Sequence, residues 1–127
     1  MNQEEKLSKG IGNLEAKKLA EGNVKVIGVK IEEVKNRKDE AVGEKVVFIV
    51  KHPDREDNLQ ISKLRYLKNE KVESSGTWYN LDEENNIVKQ SALASLMKHY
   101  ACLSINDFIG KEVQTILDGS YLSIKAY

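Results

Sequence analysis

The sequence predicts a mainly β fold with one or two helices, in which five strands coil into a small barrel. Three observations carry that expectation. Stretches of two-residue alternation recur from residue 24 to residue 127, a glycine interrupts the first of them, and one amphipathic helix stands before a closing hairpin. An α+β sheet with a packed helix is the competing architecture.

Residues 1–12 are polar and read as a loose arm, and NLEAKKLAEG (13–22) as a short helix capped by Asn13 and stopped by Gly22. The arm thus covers 1–23 and the folded domain 24–127. VKVIGVKIEEV (24–34) alternates with Ile27, Val29 and Ile31 on one face, and Gly28 marks a bulge or sharp coil. NRKDEAVG (36–43) is a hairpin loop. KVVFIV (45–50) is apolar on both faces, as a central strand is.

HPDREDN (52–58) turns the chain, and LQISKLRYL (59–67) is a third strand whose alternation slips near Ser62–Lys63. GTWYNLD (76–82) is a further extended piece. In SALASLMKHYA (91–101), Leu93, Leu96, Met97 and Tyr100 fall on one helical face, with Ser91 as N-cap. Ser104 and Asp107 form a capping-box pattern for a second short helix that Gly110 ends. Two strands joined by an Asp118-Gly119 turn close the chain.

The 127 residues, 40% hydrophobic and 31% charged, suit one globular domain. Lys+Arg and Asp+Glu both count 20, which argues against nucleic-acid or membrane binding by bulk charge while leaving a local patch open. Cys102 is the only cysteine, so no intrachain disulfide forms, and a reducing, cytoplasmic setting is expected. The longest apolar run, 46–50, is too short to span a bilayer.

The order of three strands, an extended segment, a helix and a final hairpin, with Gly28 inside the first strand, resembles the OB-fold barrel. Within that family the likeness, over about residues 24–127, is to small single-stranded-DNA-binding proteins of phages and archaea. It implies that helix 91–101 plugs one end of the barrel.

Catalytic and metal chemistry find little footing. His52-Pro53-Asp54 matches the J-domain tripeptide, but it follows a strand and reads as a proline-nucleated turn. His52, His99 and Cys102 lack metal-ligand spacing beyond His99–Cys102, and no phosphate loop, GxSxG or HExxH is present. No cofactor, metal or enzymatic activity is therefore expected.

The aromatic and basic residues point elsewhere. Lys63, Arg65 and Tyr66 lie on the third strand, Trp78 and Tyr79 on the next segment, and Tyr121, Lys125 and Tyr127 share one face of the last strand. Single-strand binders stack bases on flat rings and track the backbone with cations. Tyr66, Trp78, Tyr79, Tyr121 and Tyr127 are the expected stacking rings, and Lys63, Arg65 and Lys125 the phosphate contacts. Ser123, between the two tyrosines, is expected to leave room for a nucleotide. The expected function is thus non-catalytic, sequence-tolerant binding of single-stranded DNA or RNA. The alternative is a protein–protein adaptor or assembly subunit, whose final strand pairs with a partner or a second copy.

Overall fold

The computed structural model describes residues 2–12 and 20–127. Strands β1 (Asn23–Lys35) and β2 (Ala41–Lys51) form the longest antiparallel ladder. Its register shifts between Val26 and Gly28, so the bulge expected near the glycine is present. That bulge also corrects the expected face. Val24 and Val26 enter the core, Ile27 is 42% exposed, and only after the shift does Val29 pack inward. Along β2, Val46, Phe48 and Val50 are buried on one face and Val47 on the other, as a covered strand requires.

The third expected strand breaks at Ser62 into β3 (Leu59–Ile61) and β4 (Lys63–Lys68). A strand not anticipated follows, β5 (Lys71–Gly76), joined to β4 through Asn69 and Glu70, both at positive φ. Such a turn is favoured by Asn-Gly, and glutamate in the second place hid it. Segment 77–90, expected as an extended piece over 76–82, forms no ladder: it makes the isolated bridges Lys45–Trp78 and Leu81–Ile87, with the Thr77 amide on the Ser62 carbonyl and the Tyr79 amide on that of Glu44.

Helix α2 (Ala92–His99) begins at Ser91, whose side chain accepts from the amide of Ala94. It buries Leu93, Ala94, Leu96 and Met97, whereas Tyr100, the last member of the expected stripe, is the C-cap and packs half-buried against the core. A 3-10 turn, Ile105–Phe108, follows. Asp107 holds its start by accepting from the amides of Leu103 and Ser104.

The closing hairpin is β6 (Glu112–Asp118) and β7 (Tyr121–Ala126). Asp118 pairs with Tyr121, so the turn residues are Gly119 and Ser120 rather than Asp118 and Gly119. Gly119 sits at φ +66, where glycine meets no Cβ penalty.

The seven strands run in the order β3-β2-β1-β6-β7-β4-β5, antiparallel except for the parallel β4–β7 pair. The fold is mainly β, as expected, but its ladder is not closed into a barrel, because β3 and β5 stand at its two ends. At Ser62 the β3–β4 segment changes partners. Residues before it bond to β2 and residues after it bond to β7 and β5. Phe48, Leu64, Leu96, Phe108 and Ile124 meet in one core, with the Phe48 and Phe108 rings edge to face at 5.0 Å.

Near the N-terminus, α1 (Gln3–Leu7) replaces part of the expected loose arm. Asn2 caps it by accepting from the amide of Glu5, and it buries nothing. The helix expected over 13–22 lies largely outside the described residues. Ala20–Gly22 are tied down: the Ala20 carbonyl meets His52 Nε2, Thr115 Oγ1 donates to the Gly22 carbonyl, and Glu21 accepts from the Leu117 amide. Among the described residues no helix is long and apolar enough to cross a membrane.

Candidate functional site

Residues opposite one another in a ladder share a face. Lys63 pairs with Gly76, Arg65 with Ser74 and Lys125, and Asp118 with Tyr121. These pairings bring Lys63, Arg65, Tyr121 and Lys125 onto the outer side of β4 and β7, although residues 69–120 of the chain separate the two strands. Tyr127 follows Lys125 on the same alternation. Lys63 Nζ stands 5.4 Å from the Tyr121 ring centre, and Lys125 Nζ stands 4.9 Å from that of Tyr127. Both lie within cation–π reach.

Trp78 extends this surface beyond the strands. Its ring lies 4.6 Å from Lys45 Nζ, and both groups sit against Gly76. A Cβ on Gly76 would lie 2.7 Å from Lys45 Cε and 3.0 Å from Trp78 Nε1, so a larger residue there would push the lysine from its place beside the ring. Lys45 was not anticipated. Its signal was its alternation with Val47 and Ile49, which turns it away from the core side of β2.

Two expected rings are elsewhere. Tyr66 and Tyr79 pack against the core, Tyr66 because it follows Leu64 and Ala126 onto the inner face. They do not join the outer surface. Ser123 also departs from expectation: it is completely buried and its Oγ has no hydrogen-bond partner among the described residues, so no nucleotide reaches it. Tyr121 is 67% exposed and Tyr127 half-buried.

Arg65 is held rather than free. Its Nη2 donates to Asp118 Oδ1 at 2.9 Å, and Ser74 Oγ donates to the other carboxylate oxygen at 3.3 Å. The hydrogen bond from Arg65 is the main cause that lowers the Asp118 pKa below its ordinary value. Arg65 Nε is buried without a partner among the described residues. The surface therefore presents three rings, each beside a lysine, and one arginine already paired with a carboxylate. It can stack flat groups and attract anions.

The other candidates resolve into structure. His52 is buried, its Nε2 against the Ala20 carbonyl and its Nδ1 accepting from the Asp54 amide, which makes the His-Pro-Asp turn a local lock. Burial raises the Cys102 thiol pKa, opposite to what a nucleophile needs. Among the described residues no three His, Cys, Asp or Glu side chains converge as metal ligands would.

Comparison of the chain with protein-family models, with characterised proteins and with solved structures finds no match.

Proposed function

We propose that this chain is a non-catalytic, sequence-tolerant binder of single-stranded nucleic acid, built on an OB-like frame. The frame is favoured by the chain order and by the strand connections. The β3–β4 segment is continuous apart from Ser62, and its halves bond to β2 at one end of the sheet and to β7 at the other. Sheet curvature that brings those ends together is the arrangement an OB-type barrel uses.

The observation that carries the function is the outer surface on which Trp78, Tyr121 and Tyr127 each lie beside a lysine. Bases stack on the exposed ring faces, and Lys45, Lys63 and Lys125 contact phosphates. Stacking contributes about 1–3 kcal/mol per base, so a few rings suffice without a large net charge. With about three phosphates engaged, log K falls against log salt with a slope of roughly −2.

Titration with a single-stranded oligonucleotide, followed by fluorescence of the sole tryptophan, tests the reading. Quenching with a shallow salt slope is expected, and Tyr121→Ala with Tyr127→Ala weakens binding while Tm changes little, because Tyr121 is already largely solvated. Absence of quenching and of a gel shift at low salt removes the proposal. A large fall in Tm with intact affinity makes the two tyrosines structural instead.

A further inference from the structure

Away from the aromatic–lysine surface, a groove of about 800 Å³ opens between the far half of β1, segment 79–89, α2 and the residues that follow it. Val29, Met97 and Cys102 line its inner wall. Three large apolar side chains stand at its mouth in water: Leu103 is 96% exposed, Ile31 43% and Leu81 41%. Single exposed apolar residues are ordinary, but three around one groove mark a surface that gains by being covered.

Its charge is one-sided. Lys30, Lys89 and Lys98 line the groove, and no aspartate or glutamate does. Lys30 is paired with Glu32 at 3.4 Å, whereas Lys89 and Lys98 have no ion-pair partner among the described residues. Two of the neighbouring carboxylates are engaged by backbone. Asp82 accepts from the amides of Glu84 and Asn86, and Asp107 from those of Leu103 and Ser104. A partner that buries Leu81 and Leu103 gains by bringing negative charge to Lys89 and Lys98.

We infer that this groove docks an acidic peptide segment of a partner protein, one that carries large apolar side chains between its carboxylates. The apolar side chains enter beside Leu81, Met97 and Leu103, and the carboxylates meet Lys89 and Lys98. Nucleic acid fits the groove poorly, since its phosphates have no use for the apolar mouth. This inference does not rest on the nucleic-acid reading and uses none of its residues.

Fluorescence anisotropy of the full chain with a short labelled peptide of Asp, Glu, Leu and Phe tests it, with a peptide in which Ser replaces Leu and Phe as control. The apolar acidic peptide is expected to bind at least about tenfold more tightly than the control, the scale of a lost hot-spot side chain. Leu103→Asp should remove about that advantage, and Lys89→Glu with Lys98→Glu should weaken both acidic peptides about tenfold, while oligonucleotide affinity stays unchanged. These side chains are exposed or at the rim, and an unchanged circular-dichroism melt confirms folded variants. Equal binding of both peptides, or indifference to both sets of substitutions, overturns the inference. So does displacement of the peptide by oligonucleotide, or a dimer that Leu103→Asp dissociates, which would assign the groove to a second copy.

Discussion

Tyr100 carries its hydroxyl to the point where β6 and β7 part company. Beyond the Thr115–Ile124 pair, β6 turns to β1 and β7 turns to β4. The hydroxyl donates to the Lys125 carbonyl at 2.6 Å and accepts from the Gln114 amide at 2.9 Å, supplying two bonds the ladder no longer makes. Burial raises the Tyr100 pKa. Tyr100→Phe should cost about 1–3 kcal/mol, the range for a lost partner of a partly buried polar group. Chemical denaturation measures it; an unchanged midpoint would mean water replaces the hydroxyl without loss. Asp118 gives a pH prediction. Because its pKa is lowered in the folded chain, mainly by Arg65, its contribution is present above the ordinary aspartate range and is lost as pH falls through the lowered value. Asp107, lowered by the amides of Ser104 and Leu103, adds a second contribution of the same sign. Asp118→Asn should flatten part of the acid limb of Tm against pH. It should also free Arg65, so oligonucleotide binding tightens severalfold if the proposed function holds.

At the scale of elements, α2 is positioned by a stripe and two ends. Leu93, Leu96 and Met97 face the core, Ser91 caps the start, and Tyr100 fastens the end to the sheet. Leu96 is fully buried, so Leu96→Ala should cost roughly 2–5 kcal/mol, the range for a truncated core leucine. The helix's amphipathic spacing made it legible in the chain, because a stripe at period 3.6 is a local pattern. The β4–β5 hairpin was not legible. KVESSG is mostly exposed and carries little alternation, and its pairing comes from Asn69 and Glu70 accepting left-handed backbone. The outer surface was legible in part. Lys63, Arg65, Tyr121, Lys125 and Tyr127 follow from strand alternation, whereas Tyr66 on β4 and Tyr79 in the segment after β5 pack against the core.

For the whole molecule, the folded unit reaches back to Ala20. The Ala20 carbonyl serves His52, Gly22 bonds to Thr115 and Glu21 to the amide of Leu117. A chain that starts at Ala20 keeps these contacts. One that starts at Asn23 should lose about 0.5–1.5 kcal/mol per hydrogen bond removed, read as a Tm several degrees lower. Equal melting of both would show that these contacts are replaced by solvent.

By itself the sequence determined what short-range physics can: the mainly β character, the bulge near Gly28, the covered strand at Val46–Val50, the capped helix and the closing hairpin. Each follows from alternation, spacing or capping among residues close in the chain. Only the tertiary structure decided that the third strand is shared between two ends of the sheet, and that β4 lies parallel to β7. It also decided that Asp118 holds Arg65, that Lys45 meets Trp78, and that Ser123 is sealed from solvent. Those are pairings between distant segments, chosen by which faces the sheet brings together, and no local periodicity carries that information.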